Sequence, residues 1–196
     1  MKLMGLSSTM YWISCLLGAL PFGMIITIAL VGSCCIPFSG AAGPIFNSSP
    51  ILLFIFYVMY TVNITTFAFL LSCFINKARN AVVASATLFV ATSFGVDLAI
   101  KYMTSRIMTL LVGTIVPQTG LDIFLKQLVK MELRDRTMTF SNFMDNPSVP
   151  HQSGLEAVLI LILNSTFNML IVAYVDAVNP GEFGVPQPFN FFLTVS

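Results

Sequence analysis

The sequence predicts an all-α, multi-pass membrane protein with about four transmembrane helices and a short re-entrant or interfacial helical hairpin over residues 107–132. Three observations predict it. Hydrophobic residues make up 57% of the 196-residue chain and charged residues only 9%, against about 25% charged in an ordinary soluble domain. Four apolar runs reach the ~20 residues that a helix rising ~1.5 Å per residue needs to cross a bilayer. A fifth apolar run is only about half that long, and a Pro-Gly pair breaks it.

The elements follow in order. The first span runs from about Met10 to Ser33, with Pro21 inside it, where a kink is expected. Residues 34–50 are rich in Gly, Pro and Ser and make a turn-forming loop. The second span is Ile51 to Ile75. The charged link 76–80 is so short that the second and third helices should be antiparallel neighbours. The third span is Ala81 to Ile100. Ile107 to Val116 is too short to span and suits a segment that dips into the membrane. Pro117, Gln118, Thr119 and Gly120 then break the chain. Leu121 to Glu132 has helical periodicity, with Leu121, Phe124, Leu125, Leu128 and Val129 on one face and Asp122, Lys126, Gln127 and Lys130 on the other. An amphipathic helix lying on the membrane surface is the plainer alternative. Residues 134–154 read as a polar loop, and the last span is Leu155 to Val178. No linker or repeat divides the chain, so 1–196 is expected to be one domain.

Composition excludes several functions. The net charge is +1, so no basic surplus exists to neutralise phosphates and nucleic acid is not an expected partner. The chain has one histidine, His151, in a polar loop, and its cysteines, Cys15, Cys34, Cys35 and Cys73, show no metal-binding spacing. No metal, cofactor or catalytic triad is expected. Neither G-x-x-x-x-G-K-[ST] nor G-x-G-x-x-G occurs, so no nucleotide site is expected in this chain.

Polar residues inside spans are costly in lipid and should face the bundle. Asn63 and Thr66 are three apart in the second span, Ser93 and Asp97 four apart in the third, and Asn164 and Asn168 four apart in the last, with Ser165 beside them. Two readings stay open: a polar path for a lipid headgroup, or hydrogen bonds that only hold helices together. Small residues spaced four apart, Ser14/Gly18, Ala19/Gly23 and Ala91/Gly95, allow close helix contacts.

Two motifs and the order of spans carry a resemblance. The chain begins with Met4-Gly5-Leu6 ahead of a span containing Tyr11 and Trp12. It continues after the last span as Tyr174-Val175-Asp176-Ala177-Val178-Asn179-Pro180-Gly181-Glu182-Phe183-Gly184-Val185-Pro186-Gln187-Pro188. The run Lys77-Ala78-Arg79-Asn80-Ala81 forms the turn between the second and third spans. Nearly the whole chain resembles subfamily A of the ATP-binding cassette (ABC) transporters, in the ABC-2 type transmembrane domain that precedes a nucleotide-binding domain. The tail carries most of the specificity; it departs from the family pattern after Pro188, where Phe189 is followed by Asn190 rather than a second aromatic residue.

The resemblance implies a multi-pass integral protein of the plasma membrane or of intracellular vesicles. It implies one portion of an ATP-driven exporter or flippase of lipids or sterols, with membrane lipid as substrate. ATP and magnesium would act on a nucleotide-binding domain outside this chain, and a second transmembrane half would complete the machine. Met4, Gly5 and Leu6 would couple to the nucleotide-binding domain. Tyr174, Asp176, Pro180, Gly181, Gly184, Pro186 and Pro188 would form the exit from the last span towards it. Two spans and a large extracellular domain would precede Met4, making Met1 an internal methionine. The resemblance puts both ends and the 76–81 turn in the cytosol, whereas six of nine basic residues fall in 101–154, which the positive-inside rule would put there instead. A standalone channel or carrier that uses no ATP, and a non-functional truncated product, are the alternatives.

Overall fold

Two helices, α2 (Pro50–Phe74) and α6 (Gly154–Val178), form the central pair of the computed structural model. The remaining helices are α1 (Ser8–Cys35), α3 (Ala78–Tyr102), α4 (Arg106–Ile115) and α5 (Gln118–Glu132). The structure describes residues 8–36, 48–75, 78–102, 105–134, 136–144 and 153–178, without the side chains of 8, 9, 78, 79 and 97–102. Among the described residues all regular structure is helical.

Three of these helices are long and apolar enough to cross a membrane: Met10–Cys35, Pro50–Phe74 and Gly154–Val178. The expectation of four is met here by three, plus a shorter apolar stretch, Asn80–Val96, inside the 25-residue α3. Pro21 lies inside α1, and Pro50 opens α2 at a position where its missing N–H costs no hydrogen bond.

Packing follows from small residues and aromatic contacts. α1 runs antiparallel to α2: Trp12 meets Phe69 with ring centroids 5.1 Å apart, and Gly23 sits against Thr61. A Cβ on Gly18 or Gly95, in contrast, would meet nothing within 4 Å among the described residues, so these two glycines mark no close contact there. α3 touches α2 only sparsely and packs more on α5, so the short 76–80 link does not make α2 and α3 close neighbours along their length.

α4 and α5 form a hairpin fastened to α6. Arg106, at the start of α4, pairs with Glu156 at the start of α6 at 3.0 Å. Seven residues on, Gly113 lies against Ile160, where an added Cβ would come within 2.6 Å of Cγ2. After the Val116–Pro117 turn the chain reverses, and Gly120 sits so close to α6 that a Cβ would lie 2.9 Å from Leu161. α5 then returns to Glu132, whose Oε1 accepts from the Ser48 N–H at 2.9 Å, just ahead of α2. The hairpin therefore reaches the level of Asn164, ten residues or ~15 Å along α6, and comes back.

The apolar core lies at the end where this hairpin returns. Leu53, Phe56, Ile123, Phe124, Leu128, Met138, Ile160 and Leu161 are buried there, and Phe56 stacks on Phe124 with centroids 3.6 Å apart. Met138 is pinned by exchange with the start of α2: its N–H donates to Ser48 Oγ at 3.1 Å and its carbonyl accepts from the Ser49 N–H at 3.0 Å. Ser153 and Glu156 form a reciprocal cap on α6, at 2.9 and 3.3 Å. The buried face of α5 corrects the sequence reading. Ile123 and Gln127 are buried and Val129 is half exposed, because the helix meets α6, α3 and α4, with Phe124 on Phe56 of α2, along the 120–123–124–127–131 stripe.

Candidate functional site

Polar side chains gather in two places, on opposite faces of α2. Residues 61 and 63 are two apart, which is ~200° around a helix, so the two faces serve different neighbours.

The first group joins α2, α4 and α6. Asn63, Asn164 and Asn168 are completely or almost completely buried. Asn63 Nδ2 donates to Asn164 Oδ1 at 2.9 Å, to the Leu161 carbonyl at 3.2 Å and to Ser165 Oγ at 3.2 Å. Asn168 Nδ2 donates to the same Asn164 oxygen at 2.9 Å. Asn164 Nδ2 then reaches α4, donating to the Thr114 carbonyl at 2.8 Å and the Gly113 carbonyl at 3.3 Å. Helix ends leave their last carbonyls without intrahelical partners, and α4 ends at Ile115. Asn164 thus satisfies the open end of a short helix inside an apolar bundle, where no water could do so. Thr66 donates to the Asn63 carbonyl at 2.8 Å and stays within its own helix.

The second place is a groove of about 450 Å³ between α1 and α2, bounded by Phe89 of α3 and Leu121 of α5. Thr27, Tyr57, Tyr60, Thr61 and Thr65 put hydroxyls on otherwise apolar walls. Thr27 and Thr61 bring their oxygens to 3.5 Å. Thr61 donates to the Tyr57 carbonyl at 3.0 Å and Thr65 to the Thr61 carbonyl at 2.8 Å. The Tyr60 hydroxyl oxygen is buried and has no hydrogen-bond partner among the described residues.

Of the residues singled out in the sequence, Asn63, Thr66, Asn164 and Asn168 come together on the α2–α6 face. Ser93 does not join them. It is exposed, and its hydroxyl donates to the Phe89 carbonyl at 2.8 Å, which satisfies it within α3. The Asp97 side chain lies outside the described residues, as do Met4, Gly5, Leu6, Pro180, Gly181, Gly184, Pro186 and Pro188. Tyr174 and Asp176 lie in the last turns of α6, half-buried. The groove residues were not found from sequence, although Tyr57, Tyr60, Thr61, Ile64 and Thr65 share one helical face by spacing. Among the described residues no three His, Cys, Asp or Glu side chains gather as a metal site would require.

The chain is similar along its full length to a segment of subfamily A ABC transporters. It is 28% identical over 202 residues to the rat phospholipid-transporting ATPase ABCA3, covering 100% of this chain and 12% of that protein. It is 27% identical over 201 residues to the mouse cholesterol transporter ABCA5, covering 100% and 11%. Mouse ATP-binding cassette sub-family A member 7 is 23% identical over 197 residues, covering 97% and 9%. The chain thus spans about an eighth of the length of the curated relatives it matches. No family model matches it.

Proposed function

We propose that this chain is the membrane-domain portion of an ATP-driven lipid transporter, moving phospholipid or sterol across or out of a plasma or vesicle membrane. The observation that carries this reading is the full-length similarity to one segment of ABCA3 and ABCA5, which are named for phospholipid and cholesterol transport. The described fold supports it physically. Three apolar spans accompany a hairpin that packs along one of them, α6, and whose interior end is closed by Asn164, as membrane-embedded irregular backbone requires.

On this reading residues 1–196 form one membrane domain, α3 is the fourth span and the α4–α5 hairpin is re-entrant. The hairpin side faces away from the cytosol, so both ends point to the nucleotide-binding domain. ATP and magnesium bind that domain and not this chain. Met4, Gly5 and Leu6 transmit its motion, and Tyr174 through Pro188 lead from α6 towards it. A second transmembrane half completes the path. Asn63 and Asn164 hold the hairpin to the bundle, with Asn168 bracing Asn164 from the next turn of α6.

The test begins with an antibody to the 134–150 loop on source membranes. The captured protein, alone or with a co-purifying chain, should hydrolyse ATP, and phospholipid or sterol should stimulate it. Gly5→Pro in that protein should leave basal hydrolysis in place and abolish the lipid stimulation. Absence of any ATPase in the captured material would sink the reading.

A further inference from the structure

We propose that the outer face of α5 lines a water-filled crevice that runs ~8 Å into the hydrocarbon layer, with the Asp122–Lys126 ion pair at its floor. The proposal rests on the reading that the α4–α5 hairpin is re-entrant. Two observations point there.

The first is a contrast between the two exposed faces of one hairpin. Beyond Arg106 at its entrance, the exposed residues of α4 are Ile107, Met108, Leu111 and Ile115, all apolar, as contact with lipid requires. α5 buries its 120–123–124–127–131 stripe and leaves Asp122, Lys126, Val129 and Lys130 at least partly open on the other side. Lys126 Nζ lies 2.8 Å from Asp122 Oδ2, and the two side chains are still 34% and 27% exposed. Charged side chains at membrane depth face the bundle interior or water. The described residues leave this pair partly uncovered, so water is what meets it.

The second is depth. Phe124 stacks on Phe56, six residues into α2 and so ~9 Å from the start of that helix. A 25-residue helix is ~37 Å long against a ~30 Å hydrocarbon layer, which leaves ~4 Å beyond it at each end. Phe124 is then ~5 Å inside the layer, and Asp122, two residues nearer the hairpin tip, is ~8 Å inside. A lysine near a membrane surface normally extends outward to reach it. Lys126 leans the other way, because side chains tilt toward the N-terminus of their helix. That end of α5 is the deep one, where Gly120 packs on Leu161. The bond to Asp122 follows the tilt and draws the ammonium inward. An ion pair held there without water would cost more in lost hydration than its own attraction returns.

The experiment uses the full chain in phosphatidylcholine vesicles, with its four free cysteines changed to alanine and a charged, membrane-impermeant methanethiosulfonate on both sides. Only a thiolate reacts, and a thiolate needs water. Gly113 lies against Ile160, six residues into α6, so Ile115 matches Asp122 in depth and Leu111 matches Lys126. Asp122→Cys and Lys126→Cys should react at least about tenfold faster than Ile115→Cys and Leu111→Cys. Each of the first two breaks the ion pair, so a second measurement leaves the chain unaltered. Hydroxyl radicals generated in the water should oxidise Leu125 and Val129 above Leu111 and Ile115, although the last two are the more open side chains in the bare protein. If the α5 positions prove as slow and as unoxidised as those of α4, the crevice is overturned while the re-entrant reading stands. If all four thiols react fast, the hairpin lies outside the membrane, and the reading beneath the proposal falls with it.

Discussion

Replacing Asn164 with Leu tests whether one amide holds the hairpin in place. The side chains are similar in size, so the change removes hydrogen bonds without opening a cavity. Asn164 makes four: it donates to the carbonyls of Gly113 and Thr114 and accepts from Asn63 and Asn168. Asn63 keeps Leu161 and Ser165 as acceptors. Three groups lose the bond: the two α4 carbonyls and the Asn168 amide. Interhelical hydrogen bonds in membrane bundles contribute on average ~0.6 kcal/mol and at most ~1.7 kcal/mol; two of them, with about 1 kcal/mol for the bond from Asn168 within α6, put the loss at about 2–4 kcal/mol. Asn168→Leu breaks one bond, made within α6 itself, and should cost about 1 kcal/mol. Reversible unfolding of the full chain in mixed detergent–lipid micelles measures both. Hydrogen exchange over residues 106–120 should rise in Asn164→Leu and stay level in Asn168→Leu, because only the first residue reaches α4. Equal destabilisation by the two variants, or unchanged exchange in that segment, would refute the reasoning.

Two further outcomes follow from the same geometry. Gly113→Ala should destabilise by about 1–3 kcal/mol through overpacking against Ile160, less what alanine's better helix propensity returns, and Ile160→Ala should recover part of the loss in the double variant. Arg106→Ala should be worse than Glu156→Gln in a thermal unfolding assay. The first leaves a carboxylate that is 7% exposed without its cation, while glutamine stays neutral and can still cap Ser153.

The spans were legible because a bilayer demands length and apolarity, and both are one-dimensional properties of a sequence. α2 and α6 match their expected limits within a residue or so. The turn at Pro117 was equally legible, since proline and glycine punctuate locally. What a residue faces across the bundle was not. Periodicity put Val129 on the inner face of α5 and Gln127 outside, but three neighbours rather than one surround that helix, and the buried stripe turns to follow them. The spacing of Asn164 and Asn168 announced a polar stripe on α6. That the stripe ends on the carbonyls of α4 depends on a hairpin folding back beside it, which no spacing encodes. The groove was missed for a related reason: threonine and tyrosine are ordinary in a span, and only the approach of α1 at Gly23 turns one face of α2 into a wall.

The fastenings are distributed unevenly, and this bears on which parts can move. The hairpin is held to α6 by the Arg106–Glu156 pair at its entrance, by Gly113 and Gly120 packed against Ile160 and Leu161, and by Asn164 at its deepest point. Close-packed contacts of this kind transmit displacement rather than absorb it, so α4, α5 and α6 should shift together when α6 shifts. α2 joins that block through Asn63 and through the Phe56–Phe124 stack. α1 is tied mainly to α2, by packing rather than by buried amides. It meets α2 through Trp12 on Phe69, through Gly23 on Thr61 and through a single long Thr27–Thr61 approach. α3 is tied more loosely still, touching α2 sparsely and α5 over a short stretch, so α1 and α3 are the helices that can shift against the block at least cost. Hydrogen exchange in lipid vesicles should therefore be faster along α3 (80–96) than along α6 (155–172), and equal protection of the two would refute this ranking of the fastenings.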